Sequence, residues 1–302
     1  MKLLVCDKTA ADAIETMRAA GITVDVKTGL APEELVATVP PYHALVVRSA
    51  TKVRAPVIDA APNLKLIIRG GVGVDNIDVD YARSKGVTVL NTPGASSASV
   101  AELTIGYLFA LARSIPQMTA SMKAGRWEKK AFTGTELAGK TLGLIGCGRI
   151  GQEVARRAVA LGMNVIFYRR TPTGVPGATQ VPLEEVLTRS DYISLHTPLT
   201  PETRHILNAA AFARMKPGVY IVNCGRGGTI DEEALYEAIV SGKVAGAALD
   251  VFEEEPAANP KLMALDQVIG SPHVGASTVE AQDRVGAEVA ELAIEFYREH
   301  FA

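Results

Sequence analysis

The chain lacks an excess of either charge, a long apolar run and a useful number of cysteines, and each absence narrows what it can be. Lys and Arg total 31 against 33 acidic residues, a net charge of −2. That balance forces no basic face and argues against general nucleic-acid binding. No apolar run reaches the roughly 18 residues of a membrane span, so no membrane partner is expected. The start, Met1-Lys2-Leu3-Leu4-Val5-Cys6-Asp7, meets an acid too early for a signal-peptide core and reads as a first β-strand. Cys6, Cys147 and Cys224 are an odd, widely spaced set with neither a metal-ligand pattern nor a disulfide framework. They are expected to stay reduced in the cytoplasm, and no metal site is expected.

What is present is length and alternation. With 302 residues, 48% of them apolar, the chain can fill two compact domains. Short β-rich runs at 3–6, 23–26, 44–47, 66–68 and 87–90 alternate with helical stretches near 10–20, 32–39, 55–60 and 78–85. Asn91-Thr92-Pro93-Gly94 breaks the pattern before a long Ala- and Leu-rich helix over 99–113. A second series follows, with strands at 141–145, 164–168, 192–195, 220–223, 245–249 and 268–270 and a helix over 150–161. One amphipathic helix, 279–300, closes the chain. Apolar runs separated by helices predict parallel sheets covered on both faces. The fold class is therefore α/β, two doubly wound parallel-sheet domains. Residues 1–95 with 277–302 form a flavodoxin-like substrate domain and 96–276 a Rossmann dinucleotide domain, with a cleft between them.

Gly143-Leu144-Ile145-Gly146-Cys147-Gly148-Arg149-Ile150-Gly151 follows a predicted strand and opens a predicted helix. Gly146 allows the tight turn, Gly148 the approach of a pyrophosphate, and Gly151 close helix packing. The helix N-terminus then meets the negative phosphates. The acid expected about 20 residues on, for the adenosine ribose, is absent. Arg169, Arg170 and Thr171 stand there instead and suit a 2′-phosphate, which favours NADP(H) as the cofactor. A solvated arginine pair that tolerates NAD(H) is the alternative.

Three further phrases carry chemistry: Asn223-Cys224-Gly225-Arg226-Gly227-Gly228, Asp250-Val251-Phe252-Glu253-Glu254-Glu255-Pro256, and Ser271-Pro272-His273-Val274-Gly275-Ala276-Ser277-Thr278. A guanidinium holds an α-oxo acid by two hydrogen bonds. An imidazole exchanges the hydroxyl proton near neutral pH, and a carboxylate raises its basicity and fixes its orientation. Adjacency alone leaves Glu253, Glu254 and Glu255 as candidates for that carboxylate.

With Arg69-Gly70-Gly71-Val72-Gly73-Val74-Asp75-Asn76, Asn91-Thr92-Pro93 and Met122-Lys123-Ala124-Gly125-Arg126-Trp127-Glu128, these phrases resemble the D-isomer-specific 2-hydroxyacid dehydrogenase family over nearly the whole chain. The resemblance implies that Arg226 binds the substrate carboxylate and oxo group near the nicotinamide, and that His273 is the acid–base. It selects Glu255, the acid before proline, as the partner of His273, leaving Glu253 and Glu254 as solvated surface charges. For the cofactor it implies Val72, Arg149, Ile150, Thr197, Cys224, Gly225, Asp250, Gly275 and Ala276.

For the substrate the resemblance implies the backbone of Gly70, Gly71 and Val72, with Arg48 and Arg69 adding positive charge for a distal phosphate. Lys129 and Lys130 are expected to complete the anion pocket from a neighbouring subunit. The implied reaction oxidises 3-phospho-D-glycerate to 3-phosphohydroxypyruvate, the first step of serine synthesis. Reduction of glyoxylate or hydroxypyruvate is the alternative, and a dinucleotide-sensing corepressor a remote one. Helix 99–113 and the Trp127 arm resemble the family's dimer contacts and imply a homodimer, although Leu103, Leu108 and Leu111 could equally be buried within one subunit. The chain departs from the family at Ser96, Val72 and Arg169. Its end at Ala302, without a regulatory domain, predicts no feedback inhibition by serine.

Overall fold

A computed structural model of the chain describes residues 1–256 and 259–301 and divides into two units, Met1–Ser96 with Ala276–Ala302, and Ser97–Gly275. In the first unit the order is β1 (Lys2–Val5), α1 (Ala11–Ala19), β2 (Thr23–Val26), α2 (Pro32–Thr38), β3 (Ala44–Val47), α3 (Ala55–Asp59), β4 (Leu66–Arg69), α4 (Val79–Ser84) and β5 (Thr88–Asn91). All five strands are parallel, in the order β2-β1-β3-β4-β5. Side chains alternate faces along each strand, so each apolar run feeds two cores. Leu3, Val5, Ala44, Val46, Leu66 and Ile68 form one face, and Leu4, Cys6, Leu45, Val47 and Ile67 the other. The first face is covered by α1 and by the last helix of the chain, Val279–His300. Thr278 starts that helix, its Oγ1 accepting from Ala281 N at 3.2 Å.

The second unit runs α5 (Ser97–Arg113), α6 (Ile115–Lys123), β6 (Thr141–Ile145), α7 (Arg149–Ala160), β7 (Asn164–Tyr168), β8 (Ala178–Gln180), α8 (Leu183–Arg189), β9 (Tyr192–Leu195), α9 (Ala209–Arg214), β10 (Val219–Asn223), α10 (Glu232–Val240), β11 (Val244–Leu249), α11 (Pro260–Met263) and β12 (Val268–Gly270). The last helix of the chain is α12. Seven parallel strands lie in the order β12-β11-β10-β9-β6-β7-β8. β9 is buried along its full length, as a central strand covered on both faces must be. The strand order reverses between β6 and β9, and an open α/β sheet offers its ligand crevice at that point.

Predicted and observed strands coincide closely, but β8, α6, α8, α9, α10 and α11 were not anticipated. Leu108 and Leu111 are buried within the chain, 0% and 7% exposed, so these positions of α5 face its own core. No single helix among the described residues is long and apolar enough to cross a membrane.

Candidate active site

At the sheet's reversal the sequence predicted a phosphate turn, and the geometry there shows why each glycine is needed. Gly146 has φ +93°, and a Cβ on it would lie 2.7 Å from the His196 carbonyl. A Cβ on Gly151 would meet Gly146 O at 2.6 Å, so the helix packs directly against the turn. Gly148 has nothing within 4 Å of its missing side chain, which leaves the backbone open to an approaching group. Gly148 is also the N-cap of α7 and supplies no side-chain acceptor, which leaves the first N–H groups open to an anion.

A cavity of about 300 Å³ lies over this turn, lined by Gly146, Gly148, Arg169, Arg170, Thr171 and Thr197 among others. The glycines, the uncapped helix and the cavity suit a dinucleotide. Arg169 Nη1 donates to Cys147 O at 3.3 Å, which ties that side chain to the turn itself. Glu202 also lines the cavity, held by Thr200 Oγ1 at 2.7 Å, and the nearby Arg170 helps hold its carboxyl below the usual range. Sequence reasoning missed Glu202, because only the pairing of β6 with β9 brings the two loops together.

His196, on the same wall, is half-buried as a residue, but its Nδ1 is enclosed with no hydrogen-bond partner among the described residues. Its Nε2 lies 2.9 Å from Ser194 Oγ. Burial pushes this imidazole down to about 4. A histidine kept neutral by the fold binds no proton between about pH 4 and pH 6.5, whereas the unfolded chain does, so native stability falls as pH drops through that window. Going from pH 7 to pH 5 should therefore cost about 2 kcal/mol through this group. Urea denaturation of the protein and of His196→Gln at both pH values measures it, with the pH-dependent loss expected to shrink in the variant.

Arg226, Glu255 and His273 leave the C-terminal ends of β10, β11 and β12, three neighbouring strands. Asn223 shapes the first loop: its Oδ1 accepts from Gly225 N at 3.0 Å and its Nδ2 donates to Arg226 O at 3.0 Å. Thr229 Oγ1 donates to the same carbonyl at 2.7 Å, and Arg226 Nη1 donates to Gly225 O at 2.8 Å. A Cβ on Gly227 would fall 1.7 Å from Phe252 O, so only glycine lets this loop seat against the Glu255 loop. Cys224 is buried, and burial pushes its thiol up to about 12. Glu255 Oε2 lies 2.8 Å from His273 Nδ1, and its Oε1 accepts from Phe252 N at 3.3 Å. With Nδ1–H given to the carboxylate, the neutral ring keeps its lone pair on Nε2, the nitrogen left to face a reactant.

Glu254 is exposed, as expected, whereas Glu253 has partners that were not expected. Glu253 is exposed but bonded: its Oε1 accepts from Glu232 N at 3.0 Å, and its own N–H donates to Glu232 Oε1 at 2.7 Å. Glu253 Oε1 also lies 3.1 Å from His205 Nε2. Burial raises the Glu232 carboxyl, and the reciprocal pair ties the Glu255 loop to the start of α10. Asp250 is 1% exposed and binds the His273 loop through Val274 N at 2.8 Å and Gly275 N at 2.7 Å.

In the first unit, Arg48 follows β3, and Arg69 ends β4 just before the Gly70–Gly73 loop. Asp7 accepts from the backbone of Arg48, and Asn76 Nδ2 donates to Arg48 O at 2.6 Å, so the loop is fixed. Arg69 folds back over its own loop, Nη1 at 3.4 Å from Gly70 O, into the space a side chain at Gly71 would fill. Val72 O accepts from Asn91 Nδ2 at 2.6 Å. Lys129 and Lys130 form an exposed 3₁₀ turn. Ala276 begins the C-terminal part of this unit and accepts from Gln282 Nε2 at 3.1 Å. No group of three or more potential metal ligands occurs among the described residues.

Comparison with known proteins places these features in a family. The family model for the NAD binding domain of D-isomer specific 2-hydroxyacid dehydrogenases matches residues 105–275, nearly all of the second unit. A hydroxypyruvate reductase of Thermotoga maritima is 57% identical over 267 residues, 87% of either chain. A D-3-phosphoglycerate dehydrogenase of Methanocaldococcus jannaschii is 54% identical over 96% of this chain, which spans 56% of that relative's length. The crystal structure of a D-lactate dehydrogenase from Aquifex aeolicus, complexed with NAD and lactic acid, superposes with a TM-score of 0.88 at 30% identity, covering 99% of this chain and 96% of that one. The chain belongs to the D-isomer specific 2-hydroxyacid dehydrogenases, oxidoreductases that act on CH–OH with a nicotinamide dinucleotide.

Proposed function

We propose that the chain oxidises 3-phospho-D-glycerate to 3-phosphohydroxypyruvate, the first step of serine synthesis. The observation that carries the chemistry is the 2.8 Å contact between Glu255 and His273 beside the loop that bears Arg226. In this reading Arg226 grips the carboxylate and C2 oxygen, and His273 Nε2 takes the hydroxyl proton as the C2–H bond breaks. Glu255 holds the ring in the required tautomer and stabilises the imidazolium that forms. The bound nicotinamide supplies the acceptor for the hydride leaving C2. Gly146, Gly148, Arg149, Ile150, Gly151, Thr197, Cys224, Gly225, Asp250, Gly275 and Ala276 are assigned to holding the dinucleotide.

Relatives named D-3-phosphoglycerate dehydrogenase support the phosphorylated substrate. We assign the first unit to the substrate, the backbone of Gly70, Gly71 and Val72 to its carboxylate, and Arg48 with Arg69 to its phosphate. Glyoxylate or hydroxypyruvate reduction is the second reading. It is favoured by the relative named hydroxypyruvate reductase and by Arg69 lying folded over Gly71. Arg170 and Thr171 support NADP(H), while Glu202 on the same cavity opposes a 2′-phosphate. A homodimer is supported by Trp127, 81% exposed, together with the exposed Met122 and Phe109. Three free, buried thiols support a cytoplasmic setting.

Initial rates with 3-phosphoglycerate, phosphohydroxypyruvate, glyoxylate and hydroxypyruvate, each with both nicotinamides, test the reading. The phosphorylated pair is expected to give the highest kcat/KM. Arg48→Ala should lower that value by roughly tenfold or more, as loss of a charged contact does, and leave glyoxylate nearly unchanged. Equal loss on both substrates removes the phosphate assignment, and a strong NADH preference removes NADP(H).

A further inference from the structure

We infer that Tyr107, Ser271 and Asp250 form a positioning chain that sets the His273 imidazole for proton transfer. The inference rests on the reading of His273 as the acid–base group. His273 has φ +53°, a left-handed backbone that a residue with a side chain holds only where its surroundings fix it. The flanks of this residue are fixed on both sides. Before it, Ser271 N donates to Leu249 O at 3.0 Å, and His273 N donates to Ser271 O at 3.0 Å. After it, Val274 N and Gly275 N each donate to one oxygen of the Asp250 carboxylate, at 2.8 and 2.7 Å. A Cβ on Gly275 would lie 2.9 Å from that carboxylate, so glycine permits the approach.

The carboxylate is itself anchored. Asp250 N donates to Asn223 O at 2.9 Å, which joins it to the Arg226 loop. Ser271 Oγ donates to Asp250 Oδ1, and the Tyr107 hydroxyl, on α5, donates to Ser271 Oγ. A hydroxyl has one proton, so a serine that gives its proton to a carboxylate must accept from its other neighbour. The tyrosine proton is therefore directed toward the loop, and the chain has a single sense. Asp250 follows β11, Ser271 follows β12 and Tyr107 lies on α5, and the His273 turn takes its shape from all three. Tyr107 is 7% exposed, so water does not readily replace its hydroxyl. Without that proton the serine loses its donor, the turn loosens, and the imidazole leaves its alignment with Glu255 and the reactant.

Tyr107→Phe and Ser271→Ala test the chain, with kcat, KM and the dinucleotide Kd (by fluorescence quenching) measured for each. Each kcat is expected to fall about tenfold, the scale of a small misalignment at a reacting centre, while KM stays within about twofold and Kd rises by less than kcat falls, because Asp250 and Gly275 are also assigned to the dinucleotide. The double variant should lose no more than the worse single one, because both changes cut one chain. Ser271→Thr keeps the hydroxyl and should retain at least half of the activity. Full activity in both single variants, losses that multiply in the double, a Kd that weakens in step with kcat, or a Ser271→Thr as impaired as Ser271→Ala would each overturn the inference. His273→Ala, run alongside, separates two failures. Turnover retained there removes the acid–base reading itself; turnover lost there, with the single variants fully active, removes only the positioning chain.

Discussion

His273→Ala should reduce kcat by roughly 10²–10⁴-fold, the range set by removing a positioned acid–base group. The dinucleotide Kd should change little, since the cavity over the Gly146–Gly151 turn is built from the ends of β6, β7 and β9. The imidazole's Nδ1 is already committed to Glu255 at 2.8 Å, so only Nε2 is available for the reactant proton. No water in the vacated space would carry the same orientation or basicity. Steady-state kinetics with fluorescence titration of the dinucleotide checks both halves. A kcat within a few-fold of the parent would mean that the proton goes elsewhere.

Arg226→Lys should lower kcat/KM by roughly 30- to 1000-fold, equivalent to about 2–4 kcal/mol of lost transition-state binding. Lysine keeps the charge but presents one ammonium where a planar fork made two parallel contacts. The fold should survive the change, because Asn223 and Thr229 hold the backbone carbonyl of residue 226 and not its side chain. Circular dichroism and a thermal melt should therefore match the parent while turnover collapses. Unchanged kinetics would place the substrate carboxylate somewhere other than at Arg226.

Much of this architecture was legible in the chain. Short apolar runs bounded by turn residues, such as Ala44–Val47, read as strands buried on both faces, and their spacing left room for crossover helices. The elements that escaped are short or weakly patterned. β8 is only Ala-Thr-Gln, and α9 and α11 are single turns or little more, fixed by neighbours and not by their own periodicity. Within the candidate site, the residues in glycine-rich phrases were visible because such phrases mark places where backbone comes close. Tyr107, Glu202 and the Glu232–Glu253 clamp were not. Each meets the rest of the site through sheet order or helix packing, and nothing in a single sequence encodes which strand becomes a neighbour.

The order β12-β11-β10 also acts as a ruler. Strands in a sheet stand roughly 4.8 Å apart, so the stems carrying Arg226 and His273 spring from points about 10 Å from each other. Side chains reaching inward from two such stems can close on neighbouring atoms of one small hydroxy acid. Bulk attached farther out must be accommodated by loops and not by the sheet. Redesign for longer acids is therefore best directed at side chains flanking the stems, since the lattice beneath them fixes the distance at which chemistry occurs.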